Sequence, residues 1–85
     1  MSESENLQKL LEILASVLDI AIGTINDETS PENTETWDSY NGLMMISELE
    51  NTFNVHFTMD EAIEVTCVRD IKKALKRHGV SIEVQ

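Results

Sequence analysis

The chain has little of what a disulfide scaffold, a nucleic-acid binder or a membrane span requires. Its single cysteine, Cys67, rules out an internal disulfide and makes a reducing, cytoplasmic setting the expected one. Bases are few: six Lys and Arg stand against sixteen Asp and Glu, a formal net charge of −10. Such a chain cannot build the basic patches that neutralise nucleic-acid phosphates, so nucleic acid is excluded as a partner. No apolar run approaches the ~20 residues of a membrane span. The segment Met1-Ser2-Glu3-Ser4-Glu5-Asn6 lacks the basic and apolar regions of a secretory signal. Pro31 is the only proline. At 85 residues and 41% hydrophobic, the chain supports one small core, expected as a single monomeric domain.

What is present is helical pattern. Leu7, Leu10, Leu11, Leu14, Val17 and Leu18 recur at helical spacing, predicting an amphipathic helix over about 4–18. Ser2 or Ser4 is its candidate cap. Residues 19–37 lose that period and are rich in Asp, Asn, Thr, Ser and Glu. A connection this long is often functional. Ile20, Ile22 and Ile25 are expected to pin it to the core, with Trp37 as its closing anchor.

A second helix is predicted over about 39–53, with Gly42, Met45, Ile46, Leu49 and Phe53 on one face. Asp38 is positioned to cap it. Gly42 inside this helix costs roughly 1 kcal/mol relative to alanine. Close backbone approach, room for a ligand and plain tolerance all account for it. Val55-His56-Phe57 alternates as a short extended piece, and Thr58 with Glu61 has the spacing of a capping box. A short helix over about 59–64 follows. A last helix over about 67–78 has Thr66 as its cap candidate and Gly79 as its stop. The fold class read from this pattern is all-α: three longer helices plus one short one, with a long loop between the first two. The bundle spans about 4–78, and 79–85 form a short, frayed tail.

Charge is unevenly placed. Residues 1–68 hold fourteen acids and one base, Lys9, while 69–85 hold two acids and five bases. The acidic loop and second helix are therefore expected to repel one another. Such a domain suits partners with basic docking surfaces.

No catalytic or metal set emerges from the pattern. His56 and His78 lie far apart, and no Cys/His spacing makes a zinc site. Asp27-Glu28 lacks the calcium-loop pattern. No glycine-rich phosphate loop or Ser/His/Asp set is visible, so the chain is read as non-enzymatic.

The informative stretch is Trp37-Asp38-Ser39-Tyr40-Asn41-Gly42-Leu43-Met44, where a polar loop becomes a helix. It sets the Ser39 hydroxyl at a helix N-terminus, which favours an anion. With Leu43, Ile46, Leu49-Glu50 and Phe53 after it, and Val65-Thr66 before the last helix, the segment from Trp37 to Leu75 resembles an acyl carrier protein or a related phosphopantetheine-binding carrier domain. The resemblance implies a covalent 4′-phosphopantetheine, taken from coenzyme A and joined to Ser39 by a phosphopantetheinyl transferase. It also implies acyl thioesters carried to acyl-transferring or acyl-modifying enzymes of fatty-acid-like or specialised biosynthesis. Tyr40 stands where the family usually has leucine. Met44 stands where many members carry an acid, so the expected partner face is mixed: Leu43, Met44 and Ser47 with Glu48 and Glu50. The alternative is an acidic helical adaptor that binds partners without modification.

Overall fold

The computed structural model describes residues 3–82. Four helices run in the order α1 (Glu3–Leu18), α2 (Ser39–Phe53), α3 (Met59–Glu64) and α4 (Val68–Arg77). One 3-10 turn, Ile22–Thr24, lies in the long connection after α1, and no strand occurs among the described residues. The all-α bundle with three longer helices and one short one is thus the fold. Ser4 lies within α1, and Ser2 lies outside the described residues.

The core forms where the helical stripes converge. Leu10, Leu14 and Leu18 of α1 meet Met45 and Leu49 of α2 and Val68, Ile71, Ala74 and Leu75 of α4. Trp37, Phe57 and Ile82 complete it from outside the helices. Each fully buried large aliphatic side chain contributes roughly 1.5–3 kcal/mol. The stretch around Val55-His56-Phe57 is irregular rather than a strand, yet its alternation holds: Val55 is half-buried, His56 exposed and Phe57 buried.

Two loop and tail expectations are revised. Ile20 and Ile25 pack against the core, but Ile22 is exposed because the 3-10 turn carries it outward. The tail is not loose as far as Ile82, which is 2% exposed. The Asn6 side-chain amide donates to the Ser81 carbonyl at 2.8 Å and fastens that segment to α1. Gly79, at φ 87°, makes the turn into the tail. Its N–H reaches the Lys76 carbonyl and the Val80 N–H reaches the Leu75 carbonyl, both at 3.0 Å, which satisfies the end of α4.

The start of α4 is held differently from the expectation. Thr66 does not cap the helix. Its N–H and hydroxyl both donate to one carboxylate oxygen of Asp70, at 3.0 and 2.6 Å. Cys67 occupies the cap position without a side-chain hydrogen bond. The first amides of α4 go instead to the long loop: Val68 N–H to the Thr29 carbonyl at 2.9 Å, and Arg69 N–H to the Asp27 carbonyl at 3.1 Å. A helix end needs acceptors for such amides, and here a distant turn supplies them.

That turn is built locally. Thr29 N–H donates to the Asn26 carbonyl at 3.1 Å, and Asn26 N–H donates to the Thr29 hydroxyl at 3.0 Å. The side chains then lock it to α4 through Asp27–Lys72 and Glu28–Arg69 ion pairs. Two of the loop acids, Asp27 and Glu28, are thereby paired with bases of the last helix. The Asp27–Lys72 pair is nearly buried, with side chains 12% and 10% exposed.

α3 opens on the capping box read from sequence. The Thr58 hydroxyl accepts from Glu61 N–H at 3.2 Å, and the Glu61 carboxylate accepts from Thr58 N–H at 2.9 Å. The second bond, together with His78 at 2.9 Å from the same carboxylate, holds the Glu61 pKa below its ordinary value.

Two expectations follow. Lys72→Met leaves the Asp27 carboxylate buried without a partner and should destabilise the domain by about 3–5 kcal/mol. Asp27→Leu added to it should recover most of the loss in chemical denaturation, whereas an equal loss in single and double variants would show that the pair is not coupled. The second concerns acid. The Thr66 hydroxyl, then the Thr66 N–H, lower the pKa of Asp70. A depressed carboxyl contributes stability that is complete above its unfolded pKa and lost as pH falls through the folded one. Melting temperatures of the native chain and of Asp70→Asn should differ at neutral pH and converge as pH drops through and below the ordinary aspartate range. A gap that persists in acid would refute the assignment.

Candidate functional site

The entry to α2 is a sequence of short backbone closures. Trp37 N–H donates to the Thr34 carbonyl at 3.0 Å, and Asp38 N–H to the Thr36 carbonyl at 3.1 Å. The Asn41 side chain reaches back to the Thr36 carbonyl at 2.7 Å. Asp38 is extended, at φ −107° and ψ −175°, and its carboxylate accepts from Asn41 N–H at 2.9 Å. It is the N-cap of α2, as its position in the sequence implied.

Ser39 is the first residue of α2 and is exposed. Among the described residues, no protein acceptor takes the Ser39 or Tyr40 amide, and no His or carboxylate hydrogen-bonds the Ser39 hydroxyl. An unpaired first-turn amide pair and the helix dipole favour a negatively charged group on that hydroxyl. Among the described residues no base stands within hydrogen-bond reach of the Ser39 hydroxyl.

α2 divides the surface around Ser39 into two hollows. One is a cleft of about 390 Å³ between α2, α3 and α4. Its walls are mostly apolar: Trp37, Leu43, Ile46, Ala62, Val65 and Ile71, with Ser39 at its margin. The other is a groove of about 520 Å³ between α1 and α2, lined by Ile13, Val17, Tyr40, Met44 and two acids, Glu12 and Glu48. A flexible arm on Ser39 would thus have an apolar recess beside its root, and the residues present fit such a group.

The expected partner residues are therefore not one patch. Leu43, 67% exposed, borders the cleft, while Met44, 40% exposed, borders the groove. The roughly 100° between successive helical residues separates them. Ser47 and Glu48 are exposed on α2. Glu50 departs from the expectation. Its carboxylate accepts from Phe57 N–H at 2.8 Å and faces the His56 ring at 3.4 Å, so it fastens the loop after α2.

Three exposed side chains were missed by sequence reasoning: Tyr40 at the rim, and Met59 and Ile63 on α3. Met59 and Ile63 are four apart in a helix whose inward positions, Ala62 and Val65, line the cleft. That spacing was the available signal, but six residues are too few for a period to declare which face is inward. A Cβ on Gly42 would make an ordinary contact, 3.5 Å from the Trp37 Nε1, so no close backbone approach requires the glycine.

Comparison with known proteins agrees with this geometry. No curated protein matches the chain. The profile of the family described as "phosphopantetheine attachment site" matches residues 8–75, which runs from α1 through nearly all of α4. With that match over most of its length, the chain belongs to the phosphopantetheine-binding carrier family, whose domains hold a covalent 4′-phosphopantetheine and serve as carriers for biosynthetic enzymes.

Proposed function

We propose that Ser39 is the attachment residue and that the chain is an acyl carrier protein without catalytic activity of its own. The observation that supports this most is the exposed Ser39 hydroxyl on the first residue of α2, beside free amides and an apolar cleft. When attached, the arm supplies a terminal thiol that holds acyl groups as thioesters. In the attachment reaction the Ser39 oxygen loses its proton and takes the new P–O bond, with the nucleotide part of coenzyme A leaving. Asp38 holds the helix end open for this by spending its carboxylate on the Asn41 amide. A transferase contributes the base, since none stands beside Ser39 among the described residues.

Carrying the intermediate on a tether keeps it at high effective concentration near successive active sites. The partners fitting this surface are the transferase and acyl-handling enzymes with basic docking faces. Asp38 and Glu48 attract them, and Leu43, Met44 and Ser47 make contact on the two sides of α2. A partner gripping both sides straddles the helix. No described helix is long and apolar enough to cross a membrane, and a cytoplasmic, monomeric carrier is the reading that suits the single cysteine and the acidic surface.

The test of attachment is intact mass after incubation with coenzyme A and a broad-specificity phosphopantetheinyl transferase. The native chain should gain one phosphopantetheine, and Ser39→Ala should gain none while melting like the parent, because Asp38 keeps the cap. A native chain that stays unmodified would leave an acidic adaptor as the function. An adduct mapped to another serine would move the site.

Docking is checked by titrating each variant against an acyl-transferring partner. Leu43→Ala and Met44→Glu should each weaken binding by about 1 kcal/mol or more while staying folded. Unchanged affinity in both would remove the α2 flanks from the recognition surface.

A further inference from the structure

The cleft beside Ser39 is mostly apolar, with Asp38 and Ser39 at its mouth and Trp37 in its wall. Trp37 is 6% exposed, so its ring is part of the core. A core indole ordinarily gives its N–H to a protein acceptor. This one does not: no acceptor pairs with Nε1 among the described residues. Nor is Nε1 sealed away, since the fully enclosed side-chain polar atoms without partners are Asn6 Oδ1, Asp27 Oδ2 and Thr36 Oγ1. Nε1 is the ring atom nearest the place a Cβ on Gly42 would occupy, and both Trp37 and Gly42 line the cleft. A Cβ on Gly42 would sit at ordinary contact distance from that nitrogen.

We infer that the Trp37 indole N–H is a specificity-determining donor for cargo, selecting acyl groups that bear a hydroxyl or keto oxygen near the thioester over plain hydrocarbon chains. This rests on the reading of Ser39 as the attachment site. A buried donor in a mostly apolar wall discriminates well. An oxygenated chain pairs with it, whereas a hydrocarbon of equal length displaces water from the N–H and leaves it unpaired. The arm itself carries amide carbonyls, and the experiment separates that source of oxygen from the cargo.

The chain has one tryptophan, so its indole N–H gives a single resonance in a ¹H–¹⁵N spectrum. The labelled chain is recorded unmodified, with the arm alone, and loaded with hexanoyl or 3-hydroxyhexanoyl from the matching coenzyme A thioester. Intact mass verifies each form. The indole proton should move downfield and exchange more slowly with water in the 3-hydroxyhexanoyl form, and not in the hexanoyl form. Gly42→Ala places a methyl at ordinary contact distance over Nε1 and should abolish that difference in the loaded chain. Trp37→Phe keeps an aromatic ring without the donor. In it, the melting temperatures of the two acylated forms should coincide, where those of the parent differ.

An equal shift with the arm alone would assign the donor to the arm and overturn cargo selection. An unmoved indole signal in every mass-verified form would overturn the proposal outright. Failure to load Ser39 at all would show in the mass and refute the attachment reading, and this inference with it.

Discussion

The structure depends on a capping arrangement between segments far apart in sequence. α4 begins without a side-chain cap, and its first two amides donate to the carbonyls of Thr29 and Asp27. Because unsatisfied helix-end amides are costly when withdrawn from water, the loop and α4 each complete the other. The loop is then held at that turn and again at Trp37, which sits in the core. Asp38 and Ser39 follow directly on the second of these anchors. A nineteen-residue connection of polar residues (19–37) becomes a fixed platform for the start of α2.

Electrostatics reinforces the same contact. Part of the basic charge of the C-terminal segment is turned inward. Lys72 and Arg69 are spent on Asp27 and Glu28. His78 and Arg77 face Glu61, which ties α4 to α3 across the Phe57–His78 ring contact. Asp38 and Glu48 are exposed near Ser39 and Met44 and take no part in these ion pairs. Acids there speed encounter with a basic face.

α2 does three things at once. Met45 and Leu49 anchor it, its N-terminus presents Ser39, and its two flanks open onto different hollows. Gly42 belongs to that division of labour. It lowers helix propensity, and it lies beside the Trp37 indole nitrogen in the cleft wall.

Much of this was legible in the residues themselves. Helical spacing of Leu10, Leu14 and Leu18, the Thr58–Glu61 capping box and the Asp38 cap are local codes, read within one or two turns, and the helices stand where those codes put them. The Ser39 position was equally local, since a cap residue followed by a serine defines a helix start. Tertiary structure decided what local spacing does not carry. Thr66 lost the cap of α4 because the carbonyls of Asp27 and Thr29 occupy those amides. Ile82 left the frayed tail because the Asn6 amide and the core hold it. Glu50 turned to the Phe57 amide. Leu43 and Met44, neighbours in the chain, border different hollows because α3 and α4 pack on one flank of α2 and α1 on the other. In each case the deciding partner lies on another segment or another face, and only packing of the whole chain brings the two within hydrogen-bonding or van der Waals reach.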